Sequence, residues 1–585
     1  MAKRGVGVVL GLIFLAVLVS VAGLVAMYLI VGREPSVGSN STLVIRLDDD
    51  LPEVGGGGVV QQLLDGSDVS GLPAVVDALR KAKSDPRIQA VIIFPSGLKA
   101  PYWAKVQEVH DAVVDFRKSG KPALAFLEYA GEHEYLIASA CSKIYLMPSA
   151  PLDLNGLASY ELFLRGTLDK VGAYPDFLHI GDYKTAYNTF TEKGFTPAHR
   201  EATESMTRDL FDQLVHGIAE GRHKTEADVR ALIDQGPFLP DEALRVGLVD
   251  DLIYADQIEE KAHLPGGNSA RYEASDYAKV SSRSLGLNRG PKVAVIYASG
   301  VIASGRGGYD PLNGGVLGSD TLIDYIREAR KDSSVRAIIL RIDSPGGSAT
   351  ASDAIWRELV ITRDERHDRP LVVSMSDLAA SGGYWMAMAA PYIVAQPGTL
   401  TGSIGVVTGK MVTGGVYKKL GANMETVSQG KFAELSSPAR PFNDVERKKI
   451  QDMIEETYDQ FIEKAAASRH MSPQKLDAIA QGRVWTGRQA KANGLVDELG
   501  GLDRAIAAAK MRAKIPADSD VQLVVYPPRR TFLDLVSKGF RSDQGSLIET
   551  LIPFEQRRAV GIALSPFRLF HADEALALMP AFFTN

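Results

Sequence analysis

Residues 335–348 read VRAIILRIDSPGGS, an apolar run rich in β-branched residues that ends in a proline and two glycines. An apolar run of this length, closed by turn residues, predicts a buried strand. A second run, LVVSMSDLAASGGYW at residues 371–385, also passes from apolar into small residues. The stretch between the two runs has helical periodicity from Ala351 to Thr362. This strand–helix–strand order predicts an α/β fold.

The same alternation occurs twice along the chain. In the first half the predicted strands and helices are Thr42–Leu47 (strand), Leu72–Lys83 (helix), Ile88–Phe94 (strand), Trp103–Lys118 (helix) and Pro122–Leu127 (strand). In the second half they are Val293–Ala298 (strand), Leu322–Lys331 (helix), Val335–Ile342 (strand), Ala351–Thr362 (helix) and Pro370–Met375 (strand).

Individual residues are repeated at a constant spacing, in addition to the order of strands and helices. Gly156 and Gly405 lie 249 residues apart, and so do Gly181 and Gly430. The tetrapeptide GLVD at residues 247–250 returns at residues 494–497. A repeat of this length predicts a tandem duplication of one α/β domain. The predicted boundaries are 42–264 for the first copy, 291–515 for the second copy and 516–585 for a C-terminal extension.

Composition narrows the possible functions. The 585 residues are 45% apolar and 23% charged, which is typical of a globular chain. With a net charge of −6 there is no basic excess, so we expect no nucleic-acid partner. The single cysteine, Cys141, excludes an intramolecular disulfide and a thiolate metal cluster. The sequence contains no G-x-x-x-x-G-K-[ST], H-E-x-x-H or G-x-S-x-G motif, and we expect no cofactor and no metal.

The amino-terminal region predicts a membrane anchor. Lys3 and Arg4 precede an uncharged run over residues 5–32. As a helix this run extends about 42 Å, beyond the ~30 Å hydrocarbon core of a bilayer. It is also longer than the ~7–15 apolar residues of a cleavable signal peptide. We therefore expect a transmembrane helix, with Lys3 and Arg4 on the cytoplasmic side. The alternative is a buried core helix.

Two segments of the second copy have features of a reaction site. A strand that ends in Pro-Gly-Gly leaves backbone N–H groups unobstructed, and such groups can bind an oxyanion. The alternative is an ordinary tight turn. Ser381 lies among small residues where a helix is predicted to begin, and a helix N-terminus stabilises negative charge. The alternative there is a packing turn with a helix cap.

With these segments the chain resembles the signal peptide peptidase A family of membrane-anchored serine proteases, in its long form with two tandem domains. The resemblance covers residues ~40–515 as well as the anchor. Its most specific stretches are SPGGS (344–348), ASGGY (380–384), LTGSIG (400–405), WTG (485–487) and GLVD (494–497). The resemblance implies two Clp protease/crotonase-like domains, each a spiral of ββα units, and a Ser-Lys dyad in place of a triad.

The resemblance also implies roles for individual residues. The family's nucleophile motif falls on Ser381, and its Gly-x-x-Lys base falls on Lys184. The serine of the family's Thr-Gly-Ser-Ile-Gly segment, which orients the lysine, falls on Ser403. The expected oxyanion donors are the backbone N–H groups of Gly346, Gly347 and Gly382.

The repeat register gives an independent argument for a site shared by the two copies. Glu132 of the first copy stands in the place of Ser381, and Ala433 of the second copy stands in the place of Lys184. Each copy has therefore lost what the other retains. Two alternatives remain: Lys431 acts as a base within the second copy, or Lys184 is an ordinary surface lysine.

The expected function is that of a membrane-anchored serine endopeptidase that hydrolyses cleaved signal peptides. The expected binding partners are signal peptides and other apolar peptides. The resemblance implies a single-pass protein of the cell inner membrane, bound to the lipid bilayer through residues 5–32, with its catalytic domains on the periplasmic side. It also implies a homotetramer. Two other classes remain open: a noncatalytic membrane-anchored assembly module, and a crotonase-type acyl-CoA enzyme, for which the sequence has no recognisable CoA pocket.

Overall fold

A computed structural model describes residues 36–47, 51–53, 71–98, 102–261, 270–310, 314–527 and 575–579, with three residues near the amino terminus. Apart from those three, the anchor expected at residues 5–32 lies outside the described residues. Among the residues that are described, no helix combines the length and the apolar character needed to cross a bilayer. The anchor therefore stays a prediction.

The first half of the chain builds a six-stranded sheet in which every neighbouring pair is parallel. Its strand order is β6-β4-β3-β2-β1-β7. The strands of this half are β1 (Ser41–Arg46), β2 (Ile88–Phe94), β3 (Ala123–Leu127), β4 (Lys143–Leu146), β5 (Tyr174–Ile180), β6 (Asp251–Leu252) and β7 (Arg271–Glu273). Of these, β5 belongs to another sheet.

The second half builds an eight-stranded, mostly parallel sheet. Its main path is β18-β16-β14-β12-β8-β20, and β15 and β19 extend beside β14. The strands of this half are β8 (Lys292–Ser299), β9 (Val301–Ala303), β10 (Gly308–Asp310), β11 (Gly314–Gly318), β12 (Val335–Ser344), β13 (Gly346–Ser348), β14 (Leu371–Ala380), β15 (Ile393–Ala395), β16 (Leu400–Gly402), β17 (Val406–Val412), β18 (Val484–Thr486), β19 (Glu498–Leu499) and β20 (Gln522–Tyr526).

The two halves share one topology. The path β6-β4-β3-β2-β1-β7 has its counterpart in β19-β15-β14-β12-β8-β20, and all of these pairs are parallel. The mixed α/β architecture with parallel sheets is as predicted. Strand β20 lies in the predicted extension, yet it pairs with β8 as β7 pairs with β1. The domain boundaries themselves remain predictions.

Helices cover the sheets through faces whose apolar residues recur at helical spacing. In α1 the buried face includes Leu72, Val75, Leu79 and Ala82. The helices of the first half are α1 (Leu72–Ser84), α2 (Ala104–Arg117), α3 (Glu132–Ser139), α4 (Arg165–Val171), α5 (Asn188–Thr191), α6 (Pro197–Arg222), α7 (Glu226–Ile233), α8 (Pro240–Arg245), α9 (Ile258–Lys261) and α10 (Ala274–Tyr277). Those of the second half are α11 (Ser319–Lys331), α12 (Ala349–Glu365), α13 (Gly382–Ala387), α14 (Gly414–Lys419), α15 (Asp444–Ser468), α16 (Pro473–Asp477), α17 (Gly487–Ala492) and α18 (Leu502–Arg512).

A third sheet joins the two halves. Its order is β10-β11-β9-β13-β21-β17-β5, where β21 is Leu576–Leu578. Strand β5 of the first half pairs antiparallel with β17 of the second half along its whole length, from Tyr174 opposite Val412 to Ile180 opposite Val406. Because β5 ends at Ile180, this pairing delivers the residues that follow it to the second half.

Buried charges also cross between the halves. The Arg341 guanidinium on β12 donates from Nη2 to Glu53 Oε1 at 2.6 Å and to Glu108 Oε2 at 2.7 Å. Nearby, Lys105 Nζ on α2 lies 2.8 Å from Asp343 Oδ2. Burial alone would lower the pKa of Lys105, but Asp343 and Asp377 raise it above its ordinary value. Asp343 directly precedes the Ser-Pro-Gly-Gly turn, so this pair fixes the turn against the first half.

Candidate active site

Ser381 lies at the junction between β14 and α13, in a conformation that few side chains adopt. Its φ is 56° and its ψ is −112°, and its N–H donates to Gly402 O at 2.8 Å. Only small residues fit beside it. A Cβ on Gly382 would lie 2.6 Å from Ser352 Oγ, and one on Gly383 would lie 2.8 Å from Ser344 O. The Ser-Gly-Gly segment is therefore required by packing, and a strained backbone of this kind is common at reaction sites.

Lys184 of the first half reaches Ser381 of the second half. Its Nζ lies 2.7 Å from Ser381 Oγ, 2.8 Å from the backbone oxygen of Ser403 and 3.1 Å from Ser403 Oγ. All three residues are fully buried at 0% exposure. The structure thus brings Lys184 together with Ser381 and Ser403, which lie 197 and 219 residues further along the chain.

Water is excluded from the lysine, and this changes its acidity. Burial holds the pKa of Lys184 well below its ordinary value of 10.5, because the charged ammonium loses its hydration. The neutral amine is thereby favoured, and it is the form that can accept a proton.

A loop that sequence reasoning missed holds Lys184 in place. Tyr183 N–H donates to Gln481 O at 2.8 Å. A Cβ on Gly181 would lie 2.4 Å from Gln481 O, and one on Gly482 would lie 2.5 Å from Lys184 Cα. The glycine at position 482 is the only sequence signal for this loop, and by itself it does not distinguish a support from an ordinary turn.

The three glycines expected to supply oxyanion donors lie close together, but their N–H groups are not equally available. A Cβ on Gly346 would be 2.8 Å from Gly382 N, so the two backbones are in close contact. Gly346 N–H donates to Ser344 Oγ at 3.2 Å and is therefore already engaged. Gly382 is the first residue of α13, where an N–H has no acceptor within the helix. Hence the N–H of Gly382 is better placed to donate than that of Gly346, while Gly347 lies within β13, opposite Ala577 of β21.

In the first copy a glutamate stands in the place of the nucleophile and is held by backbone N–H groups. Glu132, in the place of Ser381, accepts from the N–H groups of Asn155 and Gly156, both at 2.9 Å. Glu134 Oε1 accepts from Leu98 N–H at 3.0 Å. Carboxylates thus accept from backbone N–H groups around the position where the first copy lacks the nucleophile.

Among the residues that the structure describes, Lys431 and Ala433 take part in no such arrangement. Both are exposed, and Lys431 Nζ lies 5.4 Å from the ring centroid of its own neighbour Phe432. The alternative in which Lys431 serves the second copy is not supported by this geometry, and neither is the alternative in which Lys184 is a surface lysine.

A hydroxyl beside a buried amine, close to the backbone N–H groups of a glycine-rich turn, is an arrangement that serine-type hydrolases use. Comparison with known proteins agrees. The family model described as Peptidase family S49 matches the chain twice, at residues 115–265 and 363–516.

Relatives match over most of the chain. "Serine protease SPPA, chloroplastic" of Arabidopsis thaliana is 37% identical over 82% of this chain and 71% of that protein. "Protease 4" of Salmonella typhi is 35% identical over 79% of this chain and 75% of its own length. "Protease 4" of Haemophilus influenzae is 30% identical over 82% and 77% respectively. The chain belongs to peptidase family S49 and is a serine-type peptidase.

Proposed function

We propose that the protein is a membrane-anchored endopeptidase that hydrolyses cleaved signal peptides with a Ser381–Lys184 dyad. The observation that carries this proposal is the 2.7 Å contact between Lys184 Nζ and Ser381 Oγ in a fully buried setting. Nucleophile and base are within hydrogen-bond distance, and burial lowers the pKa of Lys184 and so favours its neutral form.

The three contacts of Lys184 fit a neutral amine that accepts from Ser381. A backbone carbonyl can only accept, so Lys184 must donate one hydrogen to Ser403 O. Its second hydrogen can go to Ser403 Oγ. The remaining lone pair then faces Ser381 Oγ, whose hydroxyl donates to it. In this proposal Ser403 fixes the amine so that its lone pair faces the nucleophile.

The reaction would proceed in two halves. Ser381 Oγ attacks the peptide carbonyl while Lys184 takes the hydroxyl proton, and the carbonyl oxygen gains negative charge beside the N–H groups of Gly347 and Gly382. Lys184 then gives the proton to the leaving amine, which yields an acyl-enzyme. Water, deprotonated by the same amine, releases the acid and restores Ser381.

The cleft suits apolar, extended peptides. It runs between β13 and β17, where one strand can pair with both edges. An apolar cluster that includes Phe190 and Val407 lies along it, with Tyr187 packed against the cluster. Cleaved signal peptides are apolar segments, so they match this lining. An anchor at residues 5–32 would hold the cleft close to the bilayer in which such peptides remain.

The finer assignments belong to the same proposal. They are a Clp protease/crotonase-like ββα spiral in each copy, a single-pass position in the inner membrane with the catalytic domains in the periplasm, and a homotetramer. Membership of peptidase family S49 and the duplicated parallel sheets support the first of these. A tetramer can be tested by light scattering on protein that lacks residues 1–41: a mass near four chains supports it, and a fully active monomer refutes it.

The dyad is tested by covalent labelling. A fluorophosphonate probe should modify the wild type at Ser381, and Ser381→Ala should abolish both labelling and hydrolysis of an apolar peptide while folding is retained. Ser352→Ala is the matched control, because Ser352 is equally buried and bonds to the backbone oxygen of Ser348. Unchanged turnover by pure Ser381→Ala protein would refute the proposal, and so would labelling that persists in it.

A further inference from the structure

The strand that carries the nucleophile contains a bulge shortly before it. Strand β14 pairs with β12 as far as Met375, and this pairing resumes at Ala379, opposite Ser344. The three residues between, 376–378, face the single residue Asp343 of β12. A bulge bends its strand and changes the direction of the side chains beyond it, and bulges are common next to active sites.

The bulge changes the neighbour of β14. Before it β14 pairs with β15, and from the last residue of the bulge onward it pairs with β16. The second pairing leads directly to the nucleophile, since Ser381 N–H donates to Gly402 O at the end of β16 at 2.8 Å. Ser403, which contacts Lys184, follows Gly402 in the chain. The course of the bulge therefore decides where Ser381 lies relative to Ser403 and Lys184.

Two residues of the bulge are bound by the first half of the chain. Ser376 Oγ donates to Glu53 Oε1. Asp377 Oδ1 accepts from the backbone N–H of Lys105, the second residue of α2, at 3.0 Å. A bulge interrupts the regular hydrogen bonds between strands, so its polar groups need partners from elsewhere. Here the first half supplies them.

The ammonium of Lys105 joins both sides of the bulge. Its Nζ lies 2.8 Å from Asp343 Oδ2 and 3.5 Å from Asp377 Oδ2. Asp343 in turn accepts from Leu378 N–H at 3.2 Å through its other oxygen. The side chain of Asp377 is only 2% exposed and that of Lys105 only 9%. One buried cation thus connects β12 to β14 where the two strands are out of register.

The charge balance makes this cation hard to replace. The charged side chains around the bulge are two cations and four carboxylates with little exposure: Arg341, Lys105, Glu53, Glu108, Asp343 and Asp377. Burial raises the pKa of Asp377 to about 6, against the opposing attraction of Lys105. Without the ammonium, the carboxylates of Asp343 and Asp377 would face each other without a counter-charge, which is costly in a buried setting.

We propose that Lys105 is a positioning residue for the reaction: by joining Asp343 to Asp377 it fixes the bulge and thereby the place of Ser381. This inference rests on the proposed Ser381–Lys184 dyad. It goes further because the first half then supplies two lysines with separate roles. Lys184 takes the proton, whereas Lys105 touches no reacting atom and holds the strand that carries the nucleophile.

The test compares variants of the full chain in the hydrolysis of a leucine-rich peptide ester. A displacement of about 1 Å at a reacting group can cost ~10²-fold in rate. Lys105→Met should therefore lower kcat by about 10²-fold and change KM little, because the strands that border the cleft, β13 and β17, keep their pairing. Lys83→Met is the matched control: Lys83 forms an ion pair with Asp115 at 2.8 Å within the first half, and its loss should leave kcat unchanged.

A second substitution separates positioning by charge from a packing defect. In Lys105→Met/Asp343→Asn, the asparagine still accepts from Leu378 N–H, and its amide can donate to Asp377 in place of the ammonium. This double variant should regain about tenfold of the lost kcat, as expected for residues in one network. A gap left by the lysine side chain would not be repaired by removing a charge from another residue.

The outcomes distinguish this inference from the proposed function. Wild-type kcat in folded Lys105→Met protein, checked by circular dichroism, would overturn the positioning role, and so would a double variant as slow as Lys105→Met. If Lys105→Met does not fold, Lys105→Gln, whose amide keeps a donor toward Asp343, replaces it with the same expectation. Fluorophosphonate labelling of the same preparations reports on the dyad: a wild type that is not labelled at Ser381 would refute the dyad, whereas a labelled wild type with full kcat in Lys105→Met would refute only the positioning role.

Discussion

Replacing Lys184 by alanine should remove most of the activity and leave the cleft intact. Lys184 is the basic group that contacts Ser381 Oγ among the described residues, at 2.7 Å. A positioned general base contributes about 10²–10⁴-fold to a rate, and at ~1.36 kcal/mol per factor of ten this is about 2.7–5.4 kcal/mol of transition-state stabilisation. The loss should appear in kcat, with KM changed little. Lys184 contacts the nucleophile, whereas in the proposed function the backbone of β13 and β17 binds the peptide.

The pH dependence separates a base from a structural lysine. Since burial holds the pKa of Lys184 well below 10.5, the activity of the wild type should rise with pH as the amine loses its proton, and that rise should be centred well below 10.5. Lys184→Arg keeps a cation that does not deprotonate in this range and should stay inactive at every pH.

The assay is the hydrolysis of a short leucine-rich peptide ester by one soluble preparation, with kcat and KM measured from pH 6 to 10. Lys431→Ala is the matched control, since Lys431 is exposed and its ammonium lies beside the ring of Phe432. It should keep near-wild-type rates. An inactive Lys431→Ala protein together with an active Lys184→Ala protein would refute the dyad that spans the two copies.

Three more expectations concern the support of the site and its stability. Gly482→Ala should lower kcat, because its Cβ would lie 2.5 Å from Lys184 Cα. The control is Gly421→Ala, which has a similar φ of +73° and no atom within 4 Å of the added Cβ, so it measures the backbone cost alone. Equal kcat values for the two variants would contradict this reasoning. Arg341→Met leaves the buried carboxylates of Glu53 and Glu108 unpaired and should cost about 3–5 kcal/mol of unfolding free energy in denaturant titrations, against ~0–1 kcal/mol for the surface substitution Arg366→Met. Between the lowered pKa and 10.5, Lys184 binds more protons in the unfolded state than in the folded state. The unfolding free energy of the wild type relative to Lys184→Met should therefore rise with pH in this range, by up to about 1.4 kcal/mol per pH unit. A difference in unfolding free energy that stays flat from pH 7 to 10 would contradict the lowered pKa.

Much of the fold was accessible from the sequence, because the features involved are local. Apolar runs closed by glycine or proline predicted the strands, and Ile88–Phe94 has the observed bounds. Strand β14 extends to Ala380, five residues beyond the predicted Met375, because its end pairs with β16. Local periodicity cannot place such an end, since a neighbouring strand supplies the hydrogen bonds.

The candidate site was partly accessible for a different reason. Ser381, Lys184 and Ser403 were assigned by resemblance. The repeat register, which compares positions rather than contacts, supported Ser381 and Lys184. Neither argument could show that Gly346 N–H is engaged by Ser344 Oγ, nor that Gly482 supports Lys184. Both depend on backbone atoms that meet only after folding.

The sequence by itself determined that one α/β unit occurs twice, and that the two copies kept complementary residues. Hydrophobic periodicity and repeat spacing are properties of the chain, so no fold is needed to detect them. Only the tertiary structure decided that β5 crosses to pair with β17, which brings Lys184 to Ser381, and that residues 575–579 fill the cleft between β13 and β17. Strand pairing over such separations depends on which edges remain open once both sheets have formed, and that is set by packing rather than by local sequence.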